Sequence, residues 1–351
     1  ILDQGASRIP GELAGQPLVQ ARLLLTIGGV YRNLGLYAEA EPLLERSVEL
    51  RRALPDGNPV ELANSLVALA HVHGNLNRND EAAALFEEAL QIRESLYGPD
   101  DPSVAATLTD LAQVYRQQGR YDEAAELLER ALASQERLLG PNDLEVASTL
   151  YNLGAVYRRQ GRLEETESLY RRALEIKRRT LGPWHRDVAT SLNGLAIVHA
   201  KRGEREEAES LFLQALDVFE RALGPESPQV ANQLHNLGFF YREKGDLEES
   251  ERLFERSIAI KEKALGPVHP SLAATLYSLG DLYLDTGRFA EAESLLRRAL
   301  AIQEDKLPPN HPATLSSIQD LAEAMWGLGR TGEAEQFAAR ASAIELAGSG
   351  G

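Results

Sequence analysis

The chain contains no cysteine. This absence excludes disulfide bonds, zinc sites built on thiolates and thiol nucleophiles, and it agrees with a reducing cytoplasm, the location that we predict. No apolar run approaches the roughly 20 residues that a membrane-spanning helix requires. We therefore expect no membrane partner.

Positive charge is also in short supply. The 37 basic residues are outnumbered by 53 acidic ones, which gives a net charge of −16 at pH 7. Because nucleic-acid binding relies on a basic surplus that neutralises phosphates, we expect no nucleic-acid partner. Runs of β-branched residues are scarce, whereas Ala, Leu, Glu and Arg are abundant. This composition predicts an all-α protein.

The sequence does contain an internal repeat of 42 residues. Glycines mark seven of its eight positions: Gly35, Gly119, Gly161, Gly203, Gly245, Gly287 and Gly329. The eighth position holds Asn77, and Asn is the residue that most readily replaces Gly in a left-handed turn. A glutamate follows four residues after every one of these eight positions. We therefore predict a tight turn between two helices at each of them.

Each repeat carries two amphipathic helical patterns. In the fourth repeat, Leu150, Leu153 and Tyr157 have the spacing of one buried helix face. The second pattern of the same repeat buries Tyr170 and Ala173. Because no single pair of helices can cover its own apolar face, the pairs are expected to stack on one another as an α-solenoid.

The repeat unit resembles the tetratricopeptide repeat (TPR), in the 42-residue variety found in kinesin light chains and many bacterial proteins. The residues that carry the resemblance in the fourth repeat are Leu150, Gly154, Tyr157, Gly161, Thr166, Tyr170 and Ala173. It implies a right-handed α-solenoid of eight helix-turn-helix units over residues 18–346. Residues 1–17 are then an N-terminal cap or truncated half-repeat, and residues 347–351 a flexible tail left by expression.

The opening segment, residues 1–44 (ILDQGASRIPGELAGQPLVQARLLLTIGGVYRNLGLYAEAEPLL), is similar to the TPR tails that follow the kinase domain in some bacterial serine/threonine protein kinases. The sequence has no Gly-rich loop with a following strand lysine, and no HRD or DFG string. One alternative to a free-standing scaffold is therefore a regulatory, sensor or oligomerisation arm of a larger kinase or protease. An engineered TPR scaffold is a second alternative, which the strict period and the "GSGG" ending favour.

Residues typical of catalysis or metal binding do not form a recognisable site. His185, His269 and His311 occupy one repeat position, just before a first helix. Equivalent positions in adjacent repeats lie at least about 8–10 Å apart, so these histidines cannot share one ion, and we predict a helix-start role for them. Carboxylate pairs are expected by chance among 53 acidic residues. We predict no enzyme activity, no cofactor and no metal.

The first helices supply the candidate contact surface, because the resemblance implies that they line a concave groove that holds partner peptides. Asn can both donate to and accept from a peptide backbone, Arg matches carboxylates, and aromatic rings can anchor side chains. The residues that we expect to bind a peptide are Arg116, Tyr151, Asn152, Arg158, Asn193, Asn232, His235, Asn236, Phe239 and Arg242. The alternative is that these are ordinary solvated positions on helix surfaces.

The prediction that follows is a non-catalytic protein-protein interaction scaffold. Its partner would be a protein or peptide, with acidic or carboxylate groups favoured by the arginines, and self-association stays open.

Overall fold

A computed structural model describes residues 9, 11–13, 15–53, 58–308 and 310–348. Sixteen α-helices lie between residues 17 and 348, and the described ranges contain no strand, which confirms the all-α prediction. The helices are α1 (Pro17–Asn33), α2 (Tyr37–Arg52), α3 (Pro59–Asn75), α4 (Asn79–Tyr97), α5 (Pro102–Gln117), α6 (Tyr121–Leu139), α7 (Leu144–Arg159), α8 (Leu163–Leu181), α9 (Arg186–Lys201), α10 (Arg205–Leu223), α11 (Pro228–Lys244), α12 (Leu247–Leu265), α13 (Pro270–Asp285), α14 (Phe289–Lys306), α15 (Pro312–Gly327) and α16 (Thr331–Gly348).

The chain divides into two compact units, Ile1–Thr180 and Leu181–Gly351, each of which is described by itself. Residues 1–8, 10 and 14 of the expected N-terminal cap lie outside the described residues. Residues 349–351 of the expected tail also lie outside them, while α16 runs to Gly348. Within the described ranges, no helix is both long enough and apolar enough to cross a membrane.

The turns between paired helices follow the predicted column. Each of its seven glycines has a positive φ, between 72° and 91°, and Asn77 has a φ of 60°. In the fourth repeat the backbone N–H of Arg162 donates to the carbonyl of Tyr157 at 2.9 Å, which satisfies an end carbonyl of α7. Asn77 thus adopts the left-handed conformation predicted from its place in the glycine column.

The odd-numbered helices from α3 to α15 begin at side-chain caps. The Oδ1 atoms of Asp101 and Asp143 accept backbone N–H groups two residues later, each at 2.8 Å. The Nδ1 atoms of His185, His269 and His311 do the same at 3.1–3.2 Å. The helix-start role predicted for these three histidines is confirmed, because an unprotonated ring nitrogen can accept where other repeats use a carboxylate.

Small residues recur in both helices of the repeat. In the second helices one position of the 42-residue period is always Ala or Ser, and seven of its eight members are fully buried: Ser47, Ala89, Ala131, Ala173, Ala215, Ser257 and Ala299. In the first unit, a Cβ added to Gly154 would lie 2.6 Å from Cε1 of Tyr170. In the second unit, a Cβ on Gly238 would lie 2.9 Å from Cδ1 of Phe254. A small residue at one helix therefore admits a large ring from its partner.

Each unit has its own apolar core along the stacked pairs. In the first unit, Phe86, Leu108 and Leu128 belong to one cluster of buried side chains. In the second unit, Leu276 and Leu296 belong to another, which extends from Phe254 to Ala341. The predicted buried stripe of the fourth repeat, including Leu150, Leu153 and Tyr157, is at most 7% exposed, which leaves the positions between for other contacts.

Candidate functional site

Four of the expected groove residues lie in the first unit, on α5 and α7. Tyr151 is held by packing: its ring stacks on that of Tyr170 with centroids 4.8 Å apart, and Nζ of Lys177 lies 4.8 Å from its centroid. Burial raises the pKa of Tyr151, so its phenol stays neutral at physiological pH. One face of the Tyr151 ring is therefore already covered by Tyr170, at the edge of the core, which leaves less of the ring for a partner to contact.

The other three members of this group are more accessible. Arg116, Asn152 and Arg158 are partly buried. Nε of Arg116 donates to Oε1 of Gln113 at 3.2 Å, within the same helix. Arg116 and Asn152 border one small cavity between α5 and α7, so the structure brings these two residues together.

The remaining six lie in the second unit, on α9 and α11. Nδ2 of Asn236 donates to Oδ1 of Asn193 at 3.2 Å, so these two amides form a pair across adjacent first helices. Asn236 also borders a hollow of about 590 Å³. We call this hollow the α9–α11 hollow; it is lined by Ile197, Ala200, Lys201, Gly203, Arg205, Phe212, His235, Asn236, Phe239, Phe240, Glu243 and Lys244.

The α9–α11 hollow combines an apolar floor with a charged rim. Phe212 and Phe240 are buried beneath it, with ring centroids 5.4 Å apart. Phe239 is 50% exposed, an unusual state for a large aromatic side chain. Three cations line the hollow against one carboxylate, Glu243. One cation, Lys244, bonds to Glu209 at 2.5 Å. The hollow can therefore accept an apolar group next to a negative charge.

His235 contributes to this hollow as an uncharged ring. Its imidazole packs against Phe254 with centroids 5.6 Å apart. Burial, aided by the nearby positive charge of Lys261, lowers the pKa of His235 to about 4. It also borders a second hollow, lined mainly by α13, α14 and α15, near Tyr277 and Ser278. At neutral pH His235 therefore offers an aromatic face and no ion pair.

The last two expected residues, Arg242 and Asn232, differ in how readily a partner could bind them. Arg242 is bound within the unit: it pairs with Asp281, and its Nε donates to Oδ2 of Asp285 at 2.9 Å. A partner carboxylate would have to compete with both of these aspartates. Asn232 is exposed one turn before Asn236, and it lies outside the lining of the α9–α11 hollow.

The sequence analysis did not single out one repeat position in the second helices, where several repeats place a cation against the following first helix. Nζ of Lys261, which is 2% exposed, donates to the carbonyl of Ser271 at 3.0 Å and to Oγ1 of Thr275 at 2.8 Å. Arg93 likewise donates to the carbonyl of Ser103 at 3.0 Å and to Oγ1 of Thr107 at 2.7 Å. The 42-residue period could have revealed this column, whose members are Arg51, Arg93, Gln135, Lys177, Phe219, Lys261, Gln303 and Glu345.

A separate group in the first unit has donor atoms suited to a metal ion. Glu41, Glu45 and His73 each offer one donor atom within 4.8 Å of the other two. None of the three was singled out as a ligand from the sequence, because Glu41 and Glu45 are about 30 residues distant from His73 along the chain.

Protein-family models match most of the chain. Models described as tetratricopeptide repeat match residues 19–95, 61–137, 145–221, 187–238 and 229–305, and others match 109–180 and 320–340. No curated protein matches the chain.

Among solved structures, BtubC (BKLC) from P. vanneervenii is 26% identical, with a TM-score of 0.54 over 67% of this chain and 94% of BtubC. The apo form of the quorum sensor NprR from B. thuringiensis is 12% identical, with a TM-score of 0.65 over 98% of this chain and 94% of NprR. A Rap protein complexed with Competence and Sporulation Factor is 15% identical, with a TM-score of 0.57 over 93% of this chain and 98% of that protein. The last two similarities concern the fold alone.

Proposed function

Because this chain belongs to the tetratricopeptide repeat family, we propose that it is a non-catalytic interaction scaffold that binds an extended peptide on the exposed faces of its first helices. The observation that carries the proposal is the α9–α11 hollow, where an exposed Phe239 stands beside the Asn236–Asn193 amide pair. The hollow combines an apolar floor with amide and charged groups. Ligand sites commonly have this composition, in which a few polar groups orient the ligand.

The amide pair is suited to a backbone of varied sequence. An Asn side chain has two N–H donors and a carbonyl oxygen with two lone pairs. The bond between Asn236 and Asn193 uses one donor and one acceptor. Each amide can therefore still donate to and accept from a peptide that lies across α9 and α11, which is how extended chains are bound without strong sequence selection.

The charge at the hollow favours an acidic partner. Lys201, Arg205 and Lys244 line it against the carboxylate of Glu243, and Lys244 also pairs with Glu209, so a small positive excess remains on a chain whose net charge is −16. A local positive rim on an acidic protein attracts carboxylates while the rest of the surface repels them, and salt screens this attraction. We therefore propose a peptide with an aromatic or aliphatic side chain next to acidic residues.

A peptide library displayed on phage tests the proposal. Selected sequences are synthesised with a fluorophore, and their dissociation constants are measured by fluorescence anisotropy at low and high salt. We expect the double variant Asn236→Ala/Phe239→Ala to weaken binding by about tenfold or more, which is about 1.4 kcal/mol. Leu213→Ala is the matched control, since Leu213 is 46% exposed on α10 and does not line the hollow.

Two results would contradict the proposal. One is equal affinity of the double variant and the wild type, with unchanged helical circular dichroism in both. The other is a selection that yields only basic peptides, since these would be repelled by the rim. The double variant Asn152→Ala/Arg158→Ala tests the first-unit residues in the same assay, and unchanged affinity there would confine the site to the second unit.

A further inference from the structure

His73 stands at a repeat position where other repeats place a tyrosine over an acidic side chain. The phenol of Tyr115 donates to Oε1 of Glu87 at 2.7 Å, and that of Tyr283 donates to Oε1 of Glu251 at 2.8 Å. Tyr157 and Tyr241 make the same contact with a glutamate. These glutamates stand 28 or 32 residues before the tyrosine. The fold therefore places a carboxylate beside this ring in several repeats.

In the second repeat both of these earlier positions are acidic, as they also are before Tyr283, but here the ring is an imidazole. Glu45 and Glu41 stand 28 and 32 residues before His73. One donor atom from each of the three residues lies within 4.8 Å of the other two. Nε2 of His73 is 3.3 Å from Oε1 of Glu41. Two carboxylates and one imidazole nitrogen thus lie near enough to one another to share one ion after a small adjustment.

The His73 ring is buried and poorly satisfied. Its side chain is 7% exposed. Neither ring nitrogen makes a hydrogen bond of good geometry within the part of the chain that the structure describes. Each nitrogen has a carboxylate oxygen 3.3 Å away, from Glu41 and from Glu81, but neither contact has the geometry of a hydrogen bond. Buried polar atoms are normally hydrogen-bonded, so this incomplete bonding needs an explanation. A ligand on Nε2 would supply one.

The other ring nitrogen already faces the kind of group that orients a metal-binding histidine. Nδ1 of His73 lies 3.3 Å from Oε2 of Glu81, at the start of α4. Histidine ligands usually direct their second N–H to a carboxylate or carbonyl, which fixes the tautomer that leaves the first nitrogen free for the ion. Glu81 can serve this purpose after a small adjustment of its exposed side chain.

We propose that Glu41, Glu45 and His73 bind a divalent transition-metal ion, with Zn²⁺ as the ion that fits these donors. Zn²⁺ accepts imidazole nitrogen and carboxylate oxygen at about 2.0–2.2 Å, and three protein ligands leave room for a water molecule. The donor atoms then move closer by about 1 Å, which the exposed Glu45 side chain allows.

Local charge favours a divalent cation. Three carboxylates, those of Glu41, Glu45 and Glu81, surround the imidazole, which binds a metal ion in its uncharged form. Arg78 supplies one positive charge by bonding to Oε1 of Glu41. The net charge of about −2 is matched by one divalent ion. A carboxylate can bind a guanidinium through one oxygen and a metal through the other, so Arg78 weakens the site without closing it.

Calorimetric titration of the full chain with Zn²⁺ tests the proposal. We expect one saturable site in the wild type, and a loss of affinity of about tenfold or more in His73→Tyr. Tyr is the usual residue at this repeat position, so this variant should keep its helical circular dichroism. Glu45→Gln, on an exposed side chain, should also weaken binding, whereas Arg78→Gln should strengthen it.

His199→Tyr is the matched control. His199 occupies the same repeat position and is also buried, but in the sequence Arg171 stands 28 residues before it, where His73 has Glu45. We expect His199→Tyr to bind Zn²⁺ as the wild type does, and excess Mg²⁺, which prefers oxygen ligands alone, to leave the site occupied. The proposal is overturned if the wild type shows no saturable Zn²⁺ site, or if His73→Tyr binds Zn²⁺ as tightly as His199→Tyr.

Discussion

The buried ammonium of Lys261 makes the stability of the second unit depend on pH in a direction that can be calculated. Lys261 is 2% exposed, and its ammonium donates to two neutral partners, the carbonyl of Ser271 and Oγ1 of Thr275. Burial lowers its pKa from 10.5 to about 8. The facing imidazole of His235, with a pKa of about 4, is uncharged over the whole range that matters.

The sign follows from proton binding in the two states. Between about pH 8 and pH 10.5 the unfolded chain holds the Lys261 proton and the folded chain has released it, so the free energy of unfolding rises with pH across this window. Below pH 8 both states are protonated, and the folded state carries the full cost of the buried charge. The difference between 10.5 and about 8 corresponds to about 3 kcal/mol.

The substitution Lys261→Met isolates this contribution. Methionine keeps an unbranched chain of similar reach, and the hydroxyl of Thr275 can then donate to the carbonyl of Ser271, one helical turn earlier. Urea unfolding followed by circular dichroism gives the free energy of unfolding of both proteins from about pH 7 to about pH 10. We expect the wild type to gain about 2–3 kcal/mol relative to the variant across that range.

The control is Gln303→Met, at the same repeat position in the next repeat, where the buried side chain carries no charge. Its difference from the wild type should stay constant with pH. If the Lys261→Met difference is equally constant, the ammonium is not destabilised by burial, and the reasoning from its two neutral partners is wrong.

Two further substitutions test the repeat architecture. Leu153→Ala should lower the free energy of unfolding by about 2–5 kcal/mol, because Leu153 is 3% exposed and its loss leaves a cavity, whereas Leu138→Ala, at a 48% exposed side chain, should change it by less than about 0.5 kcal/mol. Asn77→Gly should raise it by up to about 1 kcal/mol, since the φ of 60° strains any residue with a Cβ; a lower melting temperature for this variant would refute that account.

The fold was predictable because each repeat has the same local requirements, a tight turn and close helix contacts, and meets them with the same residue types. A left-handed turn needs Gly or Asn, and the period of 42 residues showed where, even at Asn77. Close helix contacts need small residues, and seven of the eight members of the column that includes Ala131 and Ala173 are fully buried. These requirements depend on backbone geometry, which neighbouring residues in the sequence largely determine.

The candidate site was less predictable because its chemistry depends on residues that are distant along the chain. The sequence places Arg242 among the groove positions, but its partners Asp281 and Asp285 lie about 40 residues later and occupy its guanidinium. Tyr151 has the spacing of an exposed position, yet Tyr170 from the next helix covers one of its faces. A period reveals equivalent positions, and it does not reveal which charges or rings face each other between them.

Variation within a column therefore carries the functional information that the period itself lacks. The column of Lys261 holds cations, glutamines, a phenylalanine and a glutamate, and the column of His73 holds mostly tyrosines. In each case the backbone keeps its geometry while one side chain changes its charge or its donor atoms. Since stability in stacked repeats is a sum over neighbours, such a change can create a local site with limited cost to the rest of the array. A variant in one column that alters binding, while a variant of the equivalent residue in another repeat does not, is the expected signature of function in this chain.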